Sequence, residues 1–230
     1  MNEKFFDLKK EKQDRMINAS MKAFAFAGYT HASTDDIVRD AGVSKGLLFH
    51  YFGSKLGLYE FLYDYASKFE QLEMSSCIGK DETDFFVIRE QMLRAQTNVM
   101  KNYPYLPLFL DRADREEEEE AAKAVGSMVI ARAEQMRMRM QNADGKGFRP
   151  EADMGMISRM LNGAFRIAMT DALRLDDIPG EYYKECRAYL DMMRALSCNE
   201  DAEEDGNPAE DEPGPEEDAS FAAARGISEV

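Results

Sequence analysis

The chain has 230 residues, of which 44% are hydrophobic and 32% charged, and its formal net charge is −15. That composition suits one large or two small globular domains with a buried core. Three cysteines without a C-x-x-C spacing and only two histidines disfavour a disulfide framework and a zinc site. No apolar segment typical of a signal peptide or a membrane span occurs, so the sequence predicts a cytoplasmic protein with no metal, cofactor or membrane partner.

The negative charge is concentrated near the carboxyl end. From Asn199 onward there are twelve acidic residues and one basic residue, so this segment carries −11 of the −15. Its richness in Glu, Asp, Pro and Gly predicts a disordered acidic tail over residues 199–230. Residues 1–56 instead hold nine Lys or Arg against seven acids. The overall charge therefore does not exclude a polyanionic partner for the amino-terminal region.

Helical spacing of apolar residues predicts helices almost throughout the chain before the tail. We place them at about residues 7–27, 34–41, 45–52, 55–73, 84–102, 109–142, 152–175 and 181–197. Three serines are suited to cap the second to fourth helices: Ser33, Ser44 and Ser54. Pro104 and Pro107 forbid regular helix between the fifth and sixth. The acidic run Glu116–Glu120 is expected to face solvent, with an acidic edge towards a ligand as the alternative. Because no alternating strand pattern occurs, the predicted fold class is all-α.

The second and third predicted helices, joined by a turn at Gly42, have the form of a helix–turn–helix. In such a unit the second helix lies in the DNA major groove. Five side chains can face inward and set the angle between the helices: Ile37, Ala41, Val43, Leu48 and Phe52. The outer side then carries Lys45, Gly46, Leu47, Phe49 and His50. Gly46 is a poor helix former, but it allows close approach to DNA. Lys55, at the start of the next helix, is suited to bind phosphate.

The same residues also have ordinary structural explanations. The helix–turn–helix could serve only as packing within a helical core. His50 could be simply exposed to solvent, Phe49 could pack between helices, and Tyr51 could pack against the first helix. These alternatives remain open on the residue pattern alone.

The segment AFAFAGYTHASTDDIVRDAGVSKGLLFHYFGSKLGLYEFL resembles the DNA-binding region of TetR-family transcriptional regulators, over roughly residues 12–65. The Phe24–Gly28–Tyr29 ending, Gly-Val-Ser-Lys-Gly and Gly-Ser-Lys occur in the family's order and spacing. The resemblance implies phosphate contacts from Ser33 or Thr34, Tyr51 and Lys55. It implies base contacts from Lys45, Gly46, Leu47, Phe49 and His50. Positions 47 and 49 are often Thr and Tyr in the family, and here their apolar groups could touch thymine methyls.

The resemblance also implies a homodimer whose carboxyl-terminal domain senses a small molecule. We therefore predict a helix–turn–helix DNA-binding domain at residues 1–56 and a helical ligand-binding and dimerisation domain at residues 57–198. Aromatic and sulfur side chains suit an apolar ligand site, although an undivided core would give the same composition. The candidates are Phe86, Met100, Tyr103, Phe109, Phe165 and Met169.

The last two predicted helices have broad apolar faces, which we expect to pair with their copies in a four-helix interface. The residues on these faces are Met156, Met160, Phe165 and Ile167 in one helix, and Tyr182, Tyr183, Tyr189, Leu190 and Met193 in the other. A two-fold dimer of this kind matches a palindromic DNA operator.

No constellation of catalytic side chains can be argued, so we do not expect an enzyme. The leading hypothesis is a dimeric repressor that a small apolar molecule releases from a double-stranded, palindromic operator. The second is a DNA-binding regulator without a small-molecule ligand, controlled by a protein partner or by the acidic tail. The third is an all-helical enzyme or scaffold that uses the helix–turn–helix only as packing.

Overall fold

A computed structural model describes residues 3–79, 81–175 and 177–199. A 3-10 turn at Glu3–Phe5 is followed by α1 (Lys10–His31), α2 (Thr34–Ala41), α3 (Lys45–Phe52), α4 (Lys55–Cys77), α5 (Phe85–Asn102), α6 (Leu106–Ala113), α7 (Glu119–Met140), α8 (Met154–Ala172) and α9 (Ile178–Ser197). Within these ranges the chain forms isolated β-bridges but no strand, and the all-α class is confirmed. No helix of this part is long and apolar enough to cross a membrane. The predicted acidic tail, apart from Asn199, lies outside the described residues.

The helices α2, α3 and α4 begin where the capping serines of the sequence predict. The hydroxyl oxygens of Ser33, Ser44 and Ser54 accept hydrogen bonds from the backbone N–H groups three residues later, at 3.3, 3.2 and 3.0 Å. Each bond satisfies one of the four N–H groups that a helix start leaves without an intrahelical partner. The local sequence therefore determines where α2, α3 and α4 begin.

Gly28 interrupts α1 near the predicted end of the first helix. Its φ of 69° and ψ of 177° are not helical, although helical hydrogen bonding resumes as far as His31. A Cβ atom at Gly28 would lie 2.8 Å from Nη2 of Arg112 in α6. Glycine is therefore favoured here by the backbone conformation, whereas the Arg112 guanidinium, at the end of a flexible side chain, could move aside.

The prediction of a single helix over residues 109–142 is wrong, because the chain forms two helices, α6 and α7, with a break at residues 114–118. The acidic side chains in the break bond to backbone and to other helices. The Glu116 carboxylate accepts from the N–H groups of Glu117 and Glu118, each at 3.1 Å. Carboxylates that bind nearby N–H groups compete with helical hydrogen bonding, and consecutive like charges repel within a helix.

Two hydrophobic cores are built from these helices. The first packs α1–α3 against most of α4, α6 and the start of α7. The second packs α5 against α8 and α9 and the loop before α8. Val99 of α5 belongs to the first core and Met100 to the second, so α5 is shared. The first core continues along α4 as far as Phe69, and the predicted domain boundary at residue 56 therefore stays a prediction.

Candidate DNA interface and regulatory core

The helix α3 presents the outer and inner faces that its sequence predicts. Ile37, Ala41, Leu48 and Phe52 are buried in the first core, and Val43 is half-buried against it. On the opposite side Lys45, Gly46 and His50 are exposed, and Leu47 and Phe49 are half-buried. One face of α3 is thus fixed to the core, and the other presents a lysine, a glycine and a histidine to solvent.

Gly46 has no explanation inside the fold. Its φ is not positive, unlike those of the flanking turn glycines Gly42 and Gly53, at 64° and 73°. A Cβ atom at Gly46 would meet no atom of the described chain within 4 Å. A glycine inside a helix is less stable than alanine by roughly 0.5–1 kcal/mol. The residue therefore suits a surface that another molecule approaches closely.

Lys45 forms an ion pair with Asp35 in the first turn of α2. Its Nζ atom lies 2.9 and 3.1 Å from the two carboxylate oxygens, and both side chains are exposed. Exposed pairs of this kind contribute little to stability. Lys45 can therefore exchange Asp35 for another anion, although Asp35 would then lie near that anion.

Lys55 lies at the first position of α4, against the end of α1. Its Nζ atom donates to the Thr30 carbonyl at 3.2 Å and lies 4.8 Å from the centre of the Tyr29 ring. Burial lowers the pKa of Lys55, and the Glu116 carboxylate partly opposes this shift. These contacts hold the ammonium group beside the N-terminus of α4, where free N–H groups favour an anion.

The remaining candidate phosphate contacts have additional structural roles. The Ser33 hydroxyl caps α2, and Thr34 is half-buried at the first position of that helix. The Tyr51 ring is only 9% exposed and meets the Phe5 ring edge-on at 5.6 Å. The sequence patterns did not predict this packing of Phe5. Two adjacent aromatic residues, Phe5 and Phe6, in an otherwise polar segment are the feature that could have indicated it. The DNA contacts assigned to these residues stay predictions.

A network of polar side chains joins α1 and α4 to the α6–α7 break. One Glu116 oxygen accepts from the Tyr29 backbone N–H at 3.1 Å and from the Tyr59 hydroxyl at 3.4 Å. The Tyr63 hydroxyl donates to Asp114 at 2.6 Å. Burial raises the pKa of both phenols, and the neighbouring carboxylates add to the shift. We call Tyr29, Tyr59, Tyr63, Asp114 and Glu116 the junction network.

Arg132 of α7 binds Asp114 of the junction network and connects it to Glu70 of α4. Its guanidinium binds both oxygens of Glu70 at 2.7 and 2.9 Å and one oxygen of Asp114 at 2.5 Å. Glu70 is 1% exposed, so this pair is well shielded from solvent.

Within the acidic run, Glu117–Glu120 face solvent as expected, whereas Glu116 is half-buried and bound to α1 and α4.

The six candidate ligand residues are all buried, but they divide between the two cores. Phe86, Met100, Phe165 and Met169 share the second core, whereas Tyr103 and Phe109 belong to the first. The Tyr103 hydroxyl donates to Asp14 at 2.8 Å. The fold therefore brings four of the six together, and their role as ligand contacts stays a prediction.

A buried polar cluster lies in the second core, where the apolar pattern gave no indication of one. Arg89 of α5 is 7% exposed, and its Nη2 atom donates to Oδ1 of Asn162 in α8 at 2.7 Å. The Tyr182 hydroxyl donates to Gln96 at 3.0 Å. Burial lowers the pKa of Arg89, raises that of Tyr182, and raises that of the Cys186 thiol to about 12. The second core thus contains a cation as well as apolar side chains.

The outer surface of α8 and α9 exposes five large apolar side chains: Met156, Met160, Ile167, Met192 and Leu196. We call these residues the apolar face. Three residues predicted to lie in the dimer interface, Phe165, Tyr182 and Leu190, are instead buried in the second core. They lie on the inner side of their helices, so the expectation for them is wrong. A groove of about 340 Å³ lies between the loop before α8, the start of α8 and the end of α9, and Met156, Met160 and Leu196 line part of it.

Comparison with known proteins agrees with this geometry. Residues 16–62 match the family described as bacterial regulatory proteins, tetR family. An uncharacterized HTH-type transcriptional regulator, YuxN, of Bacillus subtilis (strain 168) is 25% identical over 119 residues, which is 50% of this chain and 41% of that protein. The chain thus spans about two fifths of the length of that relative.

Two solved structures have the same fold over most of the chain. A TetR family transcriptional regulator from Chloroflexus aurantiacus J-10-FL has a TM-score of 0.56 at 19% identity, over 86% of this chain and 98% of that one. A TetR-like transcriptional regulator from Rhodococcus sp. RHA1 has a TM-score of 0.54 at 18% identity, over 82% and 98%. The likeness therefore includes the helices beyond α4.

Proposed function

We propose that this chain, whose amino-terminal region belongs to the tetR family of bacterial regulatory proteins, is a dimeric transcriptional repressor of the cytoplasm. It binds a palindromic operator through α3 and leaves the DNA when a small molecule with an apolar body binds the second core. The observation that carries the proposal is the outer face of α3, where Lys45, Gly46 and His50 are exposed. No catalytic step is assigned to the chain.

On DNA, the outer face of α3 lies in the major groove. Lys45 and His50 meet base edges, while Gly46 lets the helix backbone come close to them. Lys55, at the N-terminus of α4, binds a phosphate, as do Ser33 or Thr34 and Tyr51 at the edges of the groove. The exposed pair of Lys45 with Asp35 exchanges for the DNA contact at little cost.

Dimerisation supplies two copies of α3 for the two half-sites of a palindrome. The apolar face of α8 and α9 is the surface that suits this association. Its exposed methionines, leucine and isoleucine are unusual on a water-facing surface, and a contiguous patch of this kind marks an interface. A second copy placed on this face completes a four-helix arrangement.

The fold offers a route from the second core to α3. The shared helix α5 carries movements of the second core to the first, and α6 meets α1 where Arg112 lies against Gly28. The junction network then links the α6–α7 break to α1 and α4. A ligand that prefers a different position of α5 and α6 would change the separation of the two α3 helices and release the operator.

Selection of duplexes from a random library, followed by fluorescence anisotropy, tests the DNA-binding half of the proposal. We expect enrichment of a palindromic sequence, bound by wild type and bound at least tenfold more weakly by a Lys45→Ala/His50→Ala double variant. No enrichment with a folded dimer would contradict DNA binding. Enrichment that no member of a library of apolar compounds reverses would favour control by a protein partner.

A further inference from the structure

Arg89 is a cation buried in the second core, and it has no carboxylate partner among the residues that the structure describes. Among the described residues, no acidic oxygen lies within 4.0 Å of its guanidinium, and its buried Nε–H group has no hydrogen-bond acceptor. Its contacts are one hydrogen bond to Asn162 and the face of the Phe165 ring, 5.4 Å from the guanidinium carbon to the ring centre. One of its N–H groups is therefore buried without an acceptor.

The contrast with Arg132 shows that this arrangement is not the chain's usual way of burying an arginine. Arg132 binds both oxygens of Glu70 and one oxygen of Asp114. Taking a charge out of water is costly unless an opposite charge and hydrogen bonds compensate it. Arg132 has that compensation, whereas Arg89 has a neutral amide and an aromatic ring. Within the described part of the chain, Arg89 thus has no anion that compensates its charge.

We propose that Arg89 binds the anionic group of the regulatory ligand, so that the ligand is an amphiphilic acid: a carboxylate or phosphate attached to an apolar body. This inference rests on the proposed function and specifies its ligand. A planar guanidinium binds either anion through two parallel N–H donors. The Nε–H group, which has no acceptor among the described residues, would supply one of these donors, and Nη2, which now binds Asn162, would supply the other.

The surroundings of Arg89 suit both parts of this ligand. Phe86, Phe165 and Met169 share its core and provide apolar surface for the body. The nearby Tyr182 hydroxyl already donates to Gln96 and can instead donate to an anion. An acid would thus find a cation, a hydroxyl donor and apolar walls within one cluster.

Asn162 marks where such a ligand reaches Arg89. It binds the guanidinium but is itself exposed, so the cluster comes to the surface at this residue. Two positions along a helix correspond to about 200° of rotation, so Asn162 faces away from Met160 and the apolar face. A dimer formed through the apolar face would therefore leave this side of α8 uncovered.

Two matched pairs of probes separate charge from apolarity. The fluorescent pair is 1-anilinonaphthalene-8-sulfonate and the uncharged N-phenyl-1-naphthylamine, which share the same ring body. The competitor set is decanoate, its methyl ester and decyl phosphate. The variants are Arg89→Met, which keeps the length of the side chain, Arg89→Lys, which keeps the charge, and Arg94→Met, a control at an exposed arginine of the same helix.

We expect Arg89→Met to bind the sulfonate probe and the preferred acid about 10- to 100-fold more weakly, the range for loss of a charge-assisted hydrogen bond. Binding of the uncharged probe and the ester should be unchanged. Arg89→Lys should recover part of the acid affinity, and Arg94→Met should behave as wild type. Whether decanoate or decyl phosphate competes better identifies the anion class.

Thermal melts distinguish a ligand contact from a structural residue. Replacing an unpaired buried cation by an apolar side chain of similar length should leave the melting temperature unchanged or raise it. The inference is overturned if wild type binds acid and ester equally, or if Arg89→Met lowers the melting temperature and weakens both members of each pair alike. If Arg89→Met still binds the selected operator and only its release by the acid is lost, the proposed function stands with the inference. If wild type fails to bind any selected duplex, the proposed function fails, whatever the probes show.

Discussion

At residue 46 the stability of α3 and close contact with DNA have opposite requirements. Alanine is the better helix former, and the fold leaves open space where its methyl group would lie. In the proposed complex, however, a methyl group on the outer face of α3 would stand between the helix backbone and the base edges. The proposed complex with DNA, rather than the fold of the free protein, would thus explain glycine at this position.

We expect Gly46→Ala to raise the free energy of unfolding by about 0.5–1 kcal/mol and to weaken operator binding at least tenfold. Gly126→Ala is the matched control, because Gly126 also lies within a helix, α7, with no atom within 4 Å of an added Cβ. It should be stabilising to a similar extent and leave DNA affinity unchanged. Denaturant titration and anisotropy on the operator measure the two effects, and tighter DNA binding by Gly46→Ala would exclude close contact at this position.

Lys55 should act through charge and without sequence preference. Lys55→Ala is expected to weaken binding to operator and scrambled duplexes by the same factor, because phosphates are common to both. It should reduce the slope of log affinity against log salt by about one per half-site. Anisotropy at several salt concentrations tests this, and an unchanged slope would remove Lys55 from the phosphate contacts.

His50→Ala provides the comparison for Lys55→Ala. A base contact contributes about 1–3 kcal/mol of discrimination, so this variant should retain non-specific affinity while accepting operator changes that wild type rejects. The melting temperature should not change, since His50 is exposed. Full sequence preference in this variant would show that α3 does not read bases through His50.

At the scale of helices, the sequence predicted what short-range contacts determine. The caps at Ser33, Ser44 and Ser54 join atoms three residues apart, so their helix starts could be read from the pattern. The break between α6 and α7 could not be read from the local pattern. Glu116 meets partners 87 and 57 residues away, Tyr29 and Tyr59, and no local pattern reports such contacts. Arg89 was missed for the same reason, because its partner Asn162 is 73 residues distant.

The junction network leads to a prediction for Glu116. Glu116→Ala leaves the Tyr29 N–H and the buried Tyr59 hydroxyl without their acceptor, so the melting temperature should fall by several degrees. The link between the α6–α7 break and α1 is also weakened, with only the longer Thr30–Glu118 bond remaining of the described side-chain bonds, so a releasing compound should act on the operator complex at a higher concentration. Glu117→Ala, at an exposed acid next to it, is the control and should change neither property. Melts and anisotropy titrations measure both, and wild-type behaviour of Glu116→Ala would exclude a coupling role.

At the scale of the whole molecule, two cores joined by α5 explain which predicted residues came together. The residues predicted to face DNA lie in α3 and at the starts of α2 and α4, so their common surface followed from helical periodicity and the caps. The ligand candidates came from four predicted helices and loops, and composition could not assign them to cores. Tyr103 lies in the first core because its hydroxyl binds Asp14 of α1, a contact that only the assembled fold creates.

The apolar face of α8 and α9 gives the prediction on assembly. Ile167 is 62% exposed, so Ile167→Glu leaves the second core intact and places a charge in the expected dimer interface. We expect this variant to be a folded monomer that binds the operator at least tenfold more weakly, because one α3 then reaches only one half-site. Ile130→Glu is the matched control, since Ile130 is a 72% exposed isoleucine on α7. It should remain a dimer with wild-type DNA affinity. Size-exclusion chromatography with light scattering gives the masses at micromolar concentration. If Ile167→Glu remains dimeric while Ile130→Glu becomes a monomer, the interface lies on α7 instead, and a monomeric wild type would refute the dimer.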